Sequence, residues 1–409
     1  MAQLIAFDLP GGPEFVHALQ DCWDRGDAVL PLDPFAPAAH TEAVLDAMRP
    51  AAVLGVDGEL TRRAGAVPVE PDDALVVATS GTTGRPKGAV HTHRSIEYAA
   101  FATSVAAGVV PDACWLACLP LSHVGGLSVV TRALGTGAGL VVHDRPDPER
   151  IDEARRTGAT HVSLVPTVLS RIDASGWHTI LLGGSAIPRD RPSNTIATYG
   201  MTETFGGIVY DGLALPGVEL RIALPPGSTE RAGPIELRSP TLLRAYRGGP
   251  AGVADPHGVD PVDAQGWYRT GDLGSIDAST GVLEVHGRAD DMIISGGEKV
   301  WPGPVEDVLR ADPRVGEVAV VGRPDPEWGQ RVVAVVVPRD AADPPELAKL
   351  RELARERLPV AAAPKELELV DSLPRTSLGK IRRTLLSVGV TAADGAPPLH
   401  GHAERHPDA

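Results

Sequence analysis

Thr79-Ser80-Gly81-Thr82-Thr83-Gly84-Arg85-Pro86-Lys87-Gly88 is the stretch on which the reading of this chain turns. Ahead of it, Ala74-Leu75-Val76-Val77-Ala78 is apolar and β-favouring, the pattern of a buried strand. Behind it, Ala89 to Ala107 reads as a turn and then a helix. A strand that breaks into a hydroxyl- and glycine-rich loop leaves backbone N–H groups and Ser/Thr side chains free to donate. Glycines at 81, 84 and 88 permit the tight backbone, and Lys87 adds a point charge. These are means of holding phosphate. The alternative is a polar surface loop, which Gly/Ser/Thr clusters commonly are. A Walker A loop is excluded, because Gly88 stands where a Ser or Thr would bind magnesium.

Composition narrows the setting. At 409 residues, 43% hydrophobic and 22% charged, the chain can bury a large core over more than one domain and fits neither a disordered nor a membrane class. No apolar run approaches the ~18–20 residues of a membrane span, and Met1 to Asp8 carries no basic-then-apolar leader, so no membrane insertion and a cytoplasmic location are expected. Cys22, Cys114 and Cys118 cannot build a disulfide framework and lie outside the candidate motifs. A net charge of −15 argues against nucleic acid as a partner. It also means that an anionic ligand can bind only where cations are gathered locally; Lys87, Arg269, Arg288, Lys299 and Lys380 are the candidates.

Along the chain, short helical and strand patterns alternate: Phe15–Cys22 and Ala43–Met48 as helices, Ala28–Leu30, Ala52–Leu54, Cys114–Leu119, His161–Val165 and Thr179–Leu182 as strands. This alternation predicts a doubly wound α/β layer. His123 falls on a strand-to-helix loop before paired glycines, a place where a backbone can approach a ligand, although a lone histidine is as often structural. Gly183-Gly184-Ser185 follows a strand directly, the edge at which α/β sheets bind ligands. Tyr199-Gly200-Met201-Thr202-Glu203 follows the strand Ile196–Thr198. There Tyr199 can stack on adenine, Thr202 can donate to a phosphate, and Glu203 can bind Mg²⁺; the competing reading is a strand-end turn with a solvated glutamate. Asp272, placed at a strand end, suits two ribose hydroxyls. Residues 287–299 read either as a charged hairpin or as a linker, and the basic cluster 375–383 as solvated surface. From about 390 the composition is that of a disordered tail.

Taken in order, T-S-G-T-T-G-x-P-K-G, P-L-x-H-x-x-G at 120–126, Y-G-M-T-E at 199–203, Y-R-T-G-D at 268–272, the 287–299 segment and P-R-T-x-x-G-K-I-x-R at 374–383 resemble the motifs of the adenylate-forming (AMP-binding) superfamily over about residues 30–385. The resemblance implies an α/β protein with a large N-terminal domain, 1–289, and a small mobile α+β lid, 290–388, hinged at Asp290. It implies ATP and CoA as substrates, Mg²⁺ as cofactor, and a small carboxylic acid activated as an acyl-adenylate before thioester formation. By the same resemblance Thr79, Ser80, Gly81, Thr82, Thr83 and Lys87 hold phosphates, and Gly183, Gly184, Ser185, Tyr199 and Gly200 line the nucleotide. His123 lines the acyl pocket, Thr202 and Glu203 act at the α-phosphate and the metal, and Asp272 and Arg288 take the ribose. Gly296 and Gly297 line the pantetheine tunnel, and Lys380 reaches the α-phosphate.

The segment 189–198 departs from that family, which normally has a helix there; about two turns, at ~3.6 residues each, are missing. The short N-terminus, Thr204 to Gly212 and Ala362 to Leu367 resemble the small o-succinylbenzoate–CoA ligases of menaquinone synthesis, which implies 2-succinylbenzoate as the acid. A ligase for another aryl or medium-chain acid, one loading a carrier protein, and a non-catalytic adenylate-binding protein are the alternatives. The sequence leaves a homodimer open.

Overall fold

The computed structural model describes residues 1–80, 86–185, 187–188, 190–248, 262–375, 381–388 and 404–405. The chain divides into two compact units. One comprises Met1–Arg221, Glu236–Arg269 and Ala278–Leu283; the other comprises Ile222–Ile235, Thr270–Asp277 and Glu284–Ala409.

The first unit contains two seven-stranded mixed sheets. In one, Asp73–Ser80, Ala28–Pro31, Leu4–Phe7 and Ala52–Leu54 run parallel, and Pro86–Thr92 and then Ala245–Arg247 extend it antiparallel at one side. In the other, Thr195–Met201, Thr179–Leu182, His161–Leu164, Cys114–Ala117 and Gly139–Val142 are parallel neighbours in that order. The parallel strands read as unbroken apolar runs because both faces are covered. Helix His93–Ala106 touches strands of both sheets and packs on helix Val124–Thr136. A shared core of Phe7, Phe15, Leu19, Leu75, Trp115, Leu127 and Phe205 results.

Three local expectations are corrected. The phosphate-loop stretch is not followed by a turn and a helix. Pro86–Thr92 is a strand paired antiparallel with Asp73–Ser80, with Thr79 opposite Lys87 and Ser80 opposite Pro86, so the two strands make a hairpin. The helix begins only at His93, where Thr92 and Ser95 exchange side-chain-to-backbone hydrogen bonds of 3.1 Å each in a capping box. The apolar Ala89-Val90 pair decides for strand, and the periodicity of the following helix masks it in the sequence. Second, the strand before Glu203 does not stop at Thr198. It runs through Tyr199, Gly200 and Met201, bulged between Tyr199 and Gly200 against Gly206–Tyr210. Third, Asp272 lies in the middle of the strand Tyr268–Ile276, not at its end. Between Gly183 and Thr195 no helix forms among the described residues, in keeping with the missing turns.

A four-stranded sheet is formed by Glu219–Ile222, Ala232–Arg238, Tyr268–Ile276 and Leu283–Arg288, in that order. In the second unit, the long antiparallel pair Val315–Asp325 and Gly329–Pro338 carries Glu366–Leu369 in parallel, with the hairpin Ile293–Ser295/Glu298–Val300 beside it. Helices Pro302–Leu309 and Leu347–Arg357 cover a core of Ile293, Val305, Leu309, Val320, Ala334, Val336 and Leu350. The expected tail, 389–409, lies outside the described residues except for Glu404-Arg405, which pair with Glu366-Leu367. No described helix is long and apolar enough to cross a membrane.

Candidate adenylation site

Alternation along Pro86–Thr92 puts Lys87, Ala89 and His91 on one face of the sheet. Tyr246, on the edge strand, stands opposite Ala89 and therefore shares that face. The turn Thr202–Thr204 is held against these strands at three points. His91 Nε2 lies 2.8 Å from the Thr202 carbonyl, Leu243 N–H donates to the Glu203 carbonyl at 2.8 Å, and Tyr246 Oη donates to Glu203 Oε1 at 2.7 Å. Lys87 Nζ sits 3.7 Å from the same Oε1 and 3.7 Å above the Tyr246 ring centroid. Tyr268 Oη is 3.1 Å from Tyr246 Oη, which places a second phenol behind the first. The edge strand itself is fastened by Arg244, bidentate on buried Asp73, and by Arg247, whose guanidinium donates to the carbonyls of Met48, Arg49, Val67 and Pro68.

Burial pushes His91 from its ordinary 6.5 down to about 4, against the opposing pull of the Thr202 carbonyl. Its imidazole is thus neutral at pH 7, with Nε2 as the donor to Thr202 and Nδ1 buried without a partner. A folded state that resists protonation between about pH 4 and 6.5 is stabilised fully above 6.5. That stabilisation is lost as pH falls towards 4, at about 1.4 kcal/mol per pH unit. The thermal midpoint of His91→Gln, which keeps a donor without titrating, is expected to fall less steeply than wild type across that window. Parallel slopes would show that His91 does not set the acid limb of stability.

His123 occupies the N-cap position of the helix Val124–Thr136 in an extended conformation, and burial holds its imidazole below the usual range, with Asp33 opposing. Of the glycines after it, Gly126 has a packing reason: a Cβ there would lie 2.2 Å from the Leu119 carbonyl oxygen. Gly200 is similarly committed to the bulge, since a Cβ there would meet the Gly206 carbonyl oxygen at 1.9 Å. Gly183-Gly184-Ser185 leaves the strand Thr179–Leu182, and Tyr199 lies on the neighbouring strand. Thr79 Oγ1 donates to the Lys87 carbonyl at 3.3 Å, across the base of the hairpin that the Ser80–Pro86 pair also closes. Gly81, Thr82 and Thr83 lie outside the described residues, as does Lys380.

In the second unit, Arg288 Nε lies 3.6 Å from Asp272 Oδ1, so the two residues expected at the ribose are neighbours. Asp290 falls in the single turn Ala289–Asp291. Gly296 and Gly297 form the turn of the hairpin; Gly296 N–H donates to the Trp328 carbonyl at 2.9 Å, and Lys365 Nζ sits 3.7 Å over the Trp328 ring. All four described candidate cations lie beside carboxylates: besides Lys87 on Glu203 and Arg288 on Asp272, Arg269 is held by Glu236 at 2.7 Å and Lys299 by Glu230 at 3.3 Å. Sequence reasoning missed His91, Tyr246 and Tyr268. Alternation in Pro86–Thr92 could have found His91; nothing local announces that Tyr246 reaches Glu203.

Among the described residues no group of three His, Cys, Asp or Glu could hold a metal. A lone carboxylate nevertheless fits Mg²⁺, which usually keeps waters and takes one or two carboxylates plus substrate phosphates. Glu203 Oε2 has no hydrogen-bond partner among the described residues, while Oε1 is held by Tyr246. Burial pushes Cys118 up to about 12 and Cys22 up to about 11, and raises Cys114 as well, which disfavours the thiolate that a nucleophile would need.

Fold and site together define an adenylate-forming enzyme. Residues 55–247 match the AMP-binding enzyme family and residues 304–380 its C-terminal domain, and the chain belongs to that family of AMP-forming acid–CoA ligases. It is 38% identical over 344 residues to the probable 2-succinylbenzoate–CoA ligase of Mycobacterium tuberculosis (strain ATCC 25618 / H37Rv), covering 78% of this chain and 85% of the relative. It is 33% identical over 423 residues to the indoleacetate–CoA ligase of Aromatoleum aromaticum, covering 91% and 80%. The o-succinylbenzoate–CoA synthetase of Bacillus subtilis, solved with the acyl-adenylate OSB-AMP, shares 27% identity at a TM-score of 0.81, over 94% of this chain and 88% of that one. The same enzyme solved with ATP and magnesium ion gives 26% and 0.80, over 94% and 89%.

Proposed function

We propose that the protein is a 2-succinylbenzoate–CoA ligase. The observation that carries the adenylating part of this reading is the cluster in which Lys87, Glu203 and Tyr246 meet at the hairpin of the phosphate-loop stretch. The acid is supported by the named relatives and by the likeness of Thr204 to Gly212 and Ala362 to Leu367 to ligases of that acid.

In this reading a carboxylate oxygen of the acid attacks the α-phosphorus of ATP. An acyl–O–P bond forms, the α–β bridging bond breaks, and pyrophosphate leaves. The attack brings like charges together, so the transition state needs donors aimed at it. The 79–88 loop, Lys87, Thr202 and Lys380 would supply them, with Tyr199, Gly183, Gly184, Ser185 and Gly200 around the base. Asp272 and Arg288 would hold the ribose, and His123 would line the acid's pocket. Glu203 would hold Mg²⁺, which when bound neutralises phosphate charge. In the second half-reaction the CoA thiol, admitted along Gly296 and Gly297 after the 290–388 lid turns about Asp290, attacks the acyl carbon. The carbon–oxygen bond to AMP breaks and the thioester remains.

A panel of acids with ATP and free CoA tests the assignment. 2-Succinylbenzoate is expected to give AMP and thioester at the highest kcat/KM. Turnover of indoleacetate, benzoates or a medium-chain acid with none of 2-succinylbenzoate would overturn the acid while keeping the reaction. Activity only with a phosphopantetheinyl protein would overturn CoA as acceptor.

A further inference from the structure

Nothing in the reaction requires a tyrosine behind Glu203, yet one buried phenol touches both charged groups of the cluster. Tyr246 is 6% exposed and Tyr268 7%, whereas Lys87 keeps 31% of its side chain open. Glu203 accepts only hydrogen bonds, so the 2.7 Å contact makes Tyr246 Oη the donor. The Tyr246 oxygen is then free to accept from Tyr268 Oη at 3.1 Å, giving a relay from Tyr268 through Tyr246 to Oε1. The ring face meanwhile seats the Lys87 ammonium.

We propose that Tyr246 is a positioning residue of the adenylation site, fixing Oε1 of Glu203 through its hydroxyl and Lys87 through its ring, so that Oε2 is presented to the cation that accompanies ATP. The inference rests on the reading of Glu203 as the residue that holds that cation. Two substitutions separate the two functions of the one side chain. Tyr246→Phe removes the hydroxyl and keeps the ring; Tyr246→Leu removes both.

The test is calorimetric titration of full-length protein with ATP, with and without Mg²⁺, in the absence of acid and CoA. In Tyr246→Phe the gain in ATP affinity on adding Mg²⁺ is expected to shrink roughly tenfold, the scale of one hydrogen bond to a charged group, with metal-free affinity unchanged. Tyr246→Leu is expected to lose metal-free affinity as well, because Lys87 loses its seat. The Mg²⁺ concentration for half-maximal pyrophosphate release should rise in Tyr246→Phe while KM for the acid stays put, a split that a purely structural role would not give. A wild-type metal gain in Tyr246→Phe, beside a lost gain in Glu203→Gln, overturns the proposal alone. A wild-type gain in both variants overturns the reading of Glu203 and the proposal with it.

Discussion

Replacing Lys380 by alanine is expected to slow acyl-adenylate formation by ~10²–10³ or more, the scale of removing one aimed donor, while CoA attack on preformed acyl-AMP stays near wild type. The reason is electrostatic. The chain carries a net charge of −15, and the first half-reaction drives a carboxylate onto a triphosphate. Each cation that meets the α-phosphate therefore opposes a repulsion that the protein as a whole increases. Lys87, seated between Glu203 and the Tyr246 ring, contributes its own charge in wild type and variant alike, so the variant is short by one aimed cation. The loss should be chemical rather than structural. The chain on either side is anchored: Arg375 bridges to Ile381, Arg382 N–H donates to the Pro374 carbonyl, and the helix Arg383–Ser387 is held by Glu306 on Arg383 and by Arg323 on the Leu386 carbonyl. Single-turnover pyrophosphate release, thioester formation from synthetic acyl-AMP and the thermal midpoint separate these effects. Normal pyrophosphate release with slow thioester formation would reverse the assignment of Lys380 to the first step.

What is legible in the sequence depends on whether a residue's partner lies near it in the chain. The apolar runs announce the parallel strands, since burial on both faces leaves a local mark. The second strand of the hairpin Asp73–Ser80/Pro86–Thr92 escapes the sequence pattern, because a short strand feeding a capped helix has no period of its own. Lys87 and Glu203 stand out as motif residues, but their meeting at 3.7 Å depends on two strands and a turn that no local pattern brings together. Tyr246 leaves no local sign at all: Arg244 on Asp73 and Arg247 on the Met48 carbonyl fix the strand that carries it, and both contacts are long-range. A glycine's packing reason is also hidden in the sequence, as at Gly126, where the atom that a Cβ would meet is the chain's own Leu119 carbonyl oxygen.

Glu203→Gln is expected to lower the adenylation rate on the order of 10²-fold or more, since losing even an outer-shell partner of a metal ligand costs ~10–100-fold, and its effect on nucleotide binding carries the sharper information. Two roles for the carboxylate predict opposite signs. If Glu203 serves only to pair with Lys87, it is a negative charge beside a triphosphate. Neutralising it should then strengthen ATP binding with and without Mg²⁺, because two unit charges about 4 Å apart repel by about 4 kcal/mol at an effective dielectric of 20. If it holds the cation, metal-free ATP should bind as well or better, yet Mg²⁺ should no longer improve the affinity. Glutamine preserves the shape, and its carbonyl oxygen can still accept from Tyr246, so the comparison isolates charge. The pair with Lys87 is itself long at 3.7 Å and partly open to solvent, too weak for its loss alone to cost two orders of magnitude. Tighter MgATP binding in the variant would therefore strip Glu203 of its metal role, whereas tighter metal-free binding beside weaker MgATP binding is the signature that only a cation ligand leaves.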